Sequence, residues 1–224
     1  MSPQESIPRE AILTAVRKNL PPAVPLPELP VFDRKGVKRG LGYKEHFHRL
    51  PEVQTDEGES LLSYFQKQLE AMGGRSFEMR PGETAEAKVS QLFPTAKVVC
   101  SAVPEVPGTR RIETVNDPHD LNDVDVAVVR SPLAVAETGA IWLTQKELVI
   151  TALGVLAQHL VVLLDPAAVL ADMHEAYGRI DLAAEPYGVF LAGPSATGDI
   201  EGVIIHGAQG ARTLTVLYLP PTAQ

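Results

Sequence analysis

The 224-residue chain has one cysteine, Cys100. That excludes an internal disulfide and a cysteine-ligated iron–sulfur cluster built from this chain alone. Its place in the run Val98-Val99-Cys100 marks it as a buried small hydrophobe rather than a reactive thiol. No apolar run is long enough to cross a bilayer, and the N-terminus lacks the apolar core of a signal peptide, so a cytoplasmic protein is expected. Positive charge is in deficit: 20 Lys and Arg stand against 28 Asp and Glu, a formal net charge of −8. That balance argues against a general nucleic-acid or anionic-membrane binder. No GxGxxG and no Walker A lysine loop is present, which argues against a Rossmann dinucleotide site or a P-loop. His46 and His48 would share a strand face, but no third ligand lies near them, so no metal is expected.

What is present is an alternation of helical and extended patterns. Ser6–Leu20 reads as an amphipathic helix, with Ile7, Ala11, Val16 and Leu20 on one face. Proline at 21, 22, 25, 27 and 30 makes an extended spacer. Residues 33–49 are basic within an acidic protein, the pattern of a solvated loop or an anion contact. Helices are expected over 59–72, 83–93 and 166–179. Strands are expected at 76–80, 97–103, 124–130, 140–144, 159–165, 188–192 and 213–219, and 152–157 as a turn or short helix. His119 falls in a polar loop and His174 on a helix surface. Several strands are apolar throughout, as in a sheet covered on both faces. The expectation is an α/β fold with a mainly parallel, three-layer sheet containing 124–130, 159–165 and 188–192. It comprises an N-terminal arm and linker, 1–56, and an α/β domain, 57–224.

Two polar constellations interrupt the apolar runs. Gly188–Gly210 reads as strand, polar loop and helix start. Ser195, Thr197 and Asp199 have side chains suited to helix N-caps, and Ile200, Val203 and Ile204 recur at helical spacing. Such a junction presents free N–H groups to an anion, while Asp199 and Glu201 favour a hydroxyl or a cation-bridged ligand. Plain helix capping explains the same residues equally well. The second constellation, Glu137-Thr138-Gly139, places a carboxylate and a turn glycine between two strands. A surface turn is the simpler account of it. Both loops are expected at one sheet edge, where Glu137 and Asp199, the catalytic candidates, would face one cleft.

The segments AETGAIWL (136–143) and GPSATGDIE (193–201) resemble the paired signatures of the lactate-utilisation (LUD) domain family. IPREAILTAVRKNL (7–20) is similar to the opening helix of the family's C-type subunit. The resemblance implies a fold similar to the sugar-isomerase and CoA-transferase (NagB/RpiA/CoA transferase-like) superfamily. It further implies a non-cluster subunit that acts in oxidising L-lactate to pyruvate beside iron–sulfur partner subunits, with no cofactor on this chain. It carries over no catalytic residue. The matching positions are Glu137, Thr138, Gly139, Gly193, Pro194, Ser195, Thr197, Asp199, Ile200 and Glu201. His206 is retained from the family's His-Gly-Pro turn, but Ala208 replaces the proline. Two other functions compete: a stand-alone transferase or isomerase on a phosphorylated or CoA-linked small molecule, using Glu137 as nucleophile or base, and a module that senses a hydroxy acid.

Overall fold

The computed structural model describes residues 9–20, 60–80, 82–199 and 201–219. The chain divides into two units, 1–50 and 51–224. In the first, α1 (Arg9–Lys18) is a helix with no buried residue; Ile12 and Val16 are exposed along it and Leu20 just beyond its end. The start of the expected helix at 6–8, the proline spacer, the basic segment and His46 and His48 lie outside the described residues, as do Glu59 and Ile200.

The second unit begins with α2 (Leu61–Ala71), whose N-cap Ser60 accepts from Ser63 N at 3.1 Å. Gly73 ends it at φ +84°. Gly73 N donates to Glu70 O at 2.9 Å and Gly74 N to Leu69 O at 2.8 Å, the bond pair of a glycine C-cap that satisfies the last carbonyls. β1 (Arg75–Glu78), α3 (Ala85–Leu92), β2 (Val99–Ser101), β3 (Arg110–Arg111) and β4 (Val126–Ser131) follow. Then come β5 (Leu133–Val135), β6 (Ala140–Thr144), α4 (Gln145–Leu148), α5 (Leu153–Leu156) and β7 (His159–Leu164). β8 (Val169–Leu170), α6 (Met173–Arg179), β9 (Gly188–Leu191), β10 (Ala196–Thr197), β11 (Ile205–His206) and β12 (Thr213–Tyr218) complete the unit.

The central sheet has six strands in the order β1-β12-β7-β4-β2-β3, all parallel. Its inner strands β4, β7 and β12 bury apolar residues on both faces because both are covered. Val126, Val128, Val161, Leu163 and Leu217 meet Ala85 and Val89 of α3. The alternate residues Ala127, Val129, Leu160, Val162, Leu214 and Val216 join Phe65 and Leu69 of α2 and Ala134, Ile141 and Leu143 from a second sheet. Each buried Val or Leu contributes on the order of 1.5–3 kcal/mol. Asp125 ties the sheet laterally: its carboxylate accepts from Lys97 N at 2.6 Å and Val98 N at 2.9 Å. Those two N–H groups hold it below the usual carboxylate range. Cys100 is buried in β2, and burial pushes its thiol up.

The second sheet, β8-β5-β6-β9, is mixed, with β5–β6 and β6–β9 antiparallel. Its outer face, Leu133, Val135, Trp142 and Leu170, packs on Ala176 of α6. The strand expected at 188–192 therefore does not lie in the parallel sheet with 124–130 and 159–165. Its apolar run pairs with β6 instead, and the Trp142 ring lies where a Cβ at Gly188 would stand. The helix expected over 166–179 is also revised. Asp165 caps a short 3-10 turn at Pro166–Ala168, Val169 and Leu170 pair with β5, and α6 starts afresh at its N-cap Asp172. The segment 133–135, absent from the expected strands, is a strand paired on both sides.

Candidate functional site

The Glu137–Gly139 motif is the turn of the β5–β6 hairpin. Ala136 N donates to Leu170 O at 2.8 Å and Glu137 N to Ala171 O at 3.0 Å, fastening the turn to β8. The Glu137 carboxylate accepts from Met173 N at 3.1 Å, at the first residue of α6. A carboxylate there is favoured because the helix's first N–H groups lack intrahelical acceptors. Glu137 is thus anchored as a helix-end acceptor through one oxygen, which constrains it as a free base. Thr138 Oγ1 is buried with no hydrogen-bond partner.

The second motif follows β9, but no helix begins after it. Ala196–Thr197 pairs antiparallel with Ile205–His206, so 193–207 forms a β-hairpin. Glu201 has φ +55° and Gly202 φ +70°, two consecutive left-handed residues that an α-helix cannot contain. The spacing of Ile200, Val203 and Ile204 mimicked a helix face. The β-branched residues Thr197, Val203, Ile204 and Ile205 favour extended backbone instead. Asp199 is accordingly not a helix N-cap. It is exposed, and its own N–H donates to Thr197 Oγ1 at 3.3 Å. Glu201 is exposed too, and no hydrogen bond joins Asp199 or Glu201 to Glu137.

Backbone contacts gather the rest. β6 and β9 run antiparallel with Ile141 opposite Leu191, so the turn before β6 and the loop after β9 sit at one end of the second sheet. Both meet α2 through glycine. A Cβ at Gly139 would stand 2.5 Å from the Gln68 carbonyl carbon and 2.8 Å from Leu69 Cα. One at Gly193 would overlap Met72 O and lie 2.9 Å from its carbonyl carbon. Pro194 and His206 lie over Gly73, 3.5 and 3.8 Å from where its Cβ would be. Ser195 N donates to Ala211 O at 2.9 Å, and Gly207 N to Ser195 O at 2.9 Å. Gly139, Gly193, Pro194 and His206 thus surround the C-terminal turn of α2, while Thr197, Asp199 and Glu201 belong to the projecting hairpin. The two motifs by themselves gave the end of α2 no part in the site. The one signal in the sequence was the Gly73-Gly74 pair.

Residues 110–219 match the model of the LUD domain. This chain carries a LUD domain. The family is associated with lactate utilisation. Both motifs fall inside the matched segment of the LUD domain, whereas α2 precedes it. Among solved structures the chain is similar to a DUF162 family protein from Deinococcus radiodurans, at 16% identity with a TM-score of 0.53. The match covers 70% of this chain and 95% of that one, and at that identity it speaks for the fold. No curated protein matches the chain.

Elsewhere on the LUD domain, a shallow cleft of about 360 Å³ is lined by Arg110, His119, Asp120 and Asp123, among others. Arg110 grips both oxygens of Asp123 at 2.6 and 2.9 Å, and His119 Nδ1 lies 2.7 Å from Asp117 Oδ1. The cleft contains no residue of either motif. Among the described residues no group of three His, Cys, Asp or Glu is placed to hold a metal ion, and no helix is long and apolar enough to cross a membrane.

Proposed function

We propose that this protein is a cytoplasmic, non-cluster component of an L-lactate oxidising system, acting beside iron–sulfur subunits that carry away the electrons removed from lactate. It binds a small hydroxy-acid or other anionic ligand where the two motif loops meet. The observation that carries this reading is the convergence of Gly139 and Gly193 on the last turn of α2. Two sequence-distant polar loops are held at one place by contacts that tolerate no side chain. The family's association with lactate utilisation supports the substrate class. The single, buried thiol supports the assignment of electron transfer to partners. The relation to the sugar-isomerase and CoA-transferase superfamily belongs to the same reading, at the level of fold. The anchoring of the Glu137 carboxylate on Met173 N weighs against the rival in which Glu137 is the nucleophile of a stand-alone transferase.

The test is growth of a deletion strain on L-lactate as sole carbon source, complemented with the wild-type chain or with Ser195→Ala. Wild type restores growth. Ser195→Ala, which removes a half-buried hydroxyl and no backbone bond, reduces growth at unchanged protein level. Full growth of the deletion strain itself on L-lactate refutes the reading.

A further inference from the structure

We infer that Arg75 and Arg212 form an anion receptor beside the second motif, taking the oxyanion of a small molecule, a carboxylate or a phosphate. The inference rests on reading that motif as a ligand site. Arg212 follows the motif directly. Its aliphatic stem lies across Gly207, where a Cβ would overlap Arg212 Cγ and stand 3.1 Å from Arg212 Cβ. Gly207 in turn donates its N–H to Ser195 O, the rung that closes the hairpin base. Arg75 stands on the neighbouring strand. It is the first residue of β1, two residues past Gly73, over which Pro194 and His206 lie. β1 and β12 are neighbouring strands with Arg75 opposite Thr215, and Arg212 immediately precedes β12. The two arginines therefore arise from adjacent strands at their amino-terminal ends and flank one loop.

Both are exposed, and neither guanidinium has a hydrogen-bond or ion-pair partner among the described residues. Arg110, Arg111, Arg130 and Arg179 each hold a carboxylate, on Asp123, Glu113, Glu105 and Glu175. From residue 51 onward the sequence carries 23 Asp and Glu against 11 Lys and Arg. In so acidic a body, two neighbouring unpaired guanidiniums are a local reversal of sign. His159 reports the same field. Burial first, then the charges of Arg75 and Arg212, hold its imidazole below the usual range, and it bonds Thr213 Oγ1 at 2.9 Å. The Ser195 hydroxyl, half-buried and without a partner among the described residues, adds a neutral donor. A guanidinium's planar fork matches the paired oxygens of a carboxylate or phosphate and is weakly hydrated, so it gives up its water readily.

The experiment is calorimetric titration of the full-length protein with L-lactate and, separately, inorganic phosphate. Four variants are compared: Arg75→Gln, Arg212→Gln, Arg212→Lys and Arg80→Gln. The wild type binds at least one anion. Arg75→Gln and Arg212→Gln each weaken that binding tenfold or more. Arg212→Lys, which keeps the stem over Gly207 and the charge, retains part of it. Arg80→Gln, two residues beyond the carboxyl end of β1, leaves it unchanged. L-lactate binding alone identifies a hydroxy-acid carboxylate and phosphate binding alone a phosphorylated ligand; either supports the receptor. It is overturned if the wild type binds neither, if the glutamine variants bind as well as wild type, or if Arg80→Gln weakens binding equally. Growth on L-lactate separates the two readings. Anion binding that depends on both arginines, with a deletion strain that still grows, keeps the receptor and removes the lactate role. Absent anion binding, with growth lost in the deletion strain and restored by the wild-type gene, does the reverse.

Discussion

Replacing Gly139 with Ala tests the packing that joins the two motifs. Two terms add. Gly139 sits at φ +63°, and an L-residue in the left-handed region costs roughly 1–2 kcal/mol. The new Cβ would also stand 2.5 Å from the Gln68 carbonyl carbon and 2.8 Å from Leu69 Cα. These are backbone atoms of a helix that cannot rotate away as a side chain would. Relief requires α2 to move by about an ångström, which disturbs the fully buried Phe65 and Leu69; overpacking of this kind costs about 1–3 kcal/mol. The sum is about 2–5 kcal/mol. For a domain of this size each kcal/mol lowers Tm by about 2–4 °C, so thermal unfolding should fall by at least about 4 °C. Gly202→Ala is the internal control. Gly202 has φ +70°, but nothing lies within 4 Å of its would-be Cβ, so only the backbone term of about 1–2 kcal/mol remains. Urea unfolding at fixed protein concentration measures both. Equal losses for the two variants would mean that the close approach of the hairpin turn to α2 does not exist, and the shared site would fall with it.

Further outcomes follow from single residues. Val149 adopts φ +60° and ψ −55°, with Ile150 N bonding Leu148 O at 2.6 Å, although it is β-branched and exposed. Val149→Gly should therefore raise the urea midpoint by the equivalent of about 1–2 kcal/mol, and a fall would refute the strain. Thr138 carries a buried, unpartnered hydroxyl, so Thr138→Val should gain up to about 1 kcal/mol. If the hydroxyl serves function, the same variant slows growth on L-lactate while melting higher. His159 is held below its ordinary range chiefly by burial, so the unfolded chain protonates first as pH falls. Stability that is present above about pH 6.5 is then lost as pH drops toward the lower folded value. Unfolding midpoints of wild type and His159→Asn between pH 8 and 5 should diverge below about 6.5, with wild type losing the more; parallel curves would remove the burial argument. Finally, purified protein given L-lactate should reduce no dye without partner subunits, and reduction by the isolated chain would overturn the assignment of redox chemistry to partners.

The sequence by itself determined the elements whose periodicity follows from burial. HLVVLL and TLTVLY send apolar side chains to both faces, Leu160, Val162, Leu214 and Val216 to one and Val161, Leu163 and Leu217 to the other, because both faces of their sheet are covered. The end of α2 was legible in Gly73-Gly74, since only glycine closes a helix with φ +84° at no steric cost. The two motifs were legible as paired loops because their residue types are local. Which sheet Gly188–Leu191 joins was not, because GVFL satisfies a parallel or an antiparallel neighbour equally, and pairing with β6 depends on Trp142 finding the vacant Cβ position at Gly188. Nor was the hairpin at 193–207, where the i, i+3, i+4 spacing of three apolar residues coincided with an extended segment turned by Glu201-Gly202. The tertiary structure alone decided that α2 lies against both motifs and that Arg75 and Arg212, 137 residues apart in number, flank one loop. Parallel strand pairing brings residues together without any local signal, because its partners are set by the burial of the whole sheet and not by the residues between them.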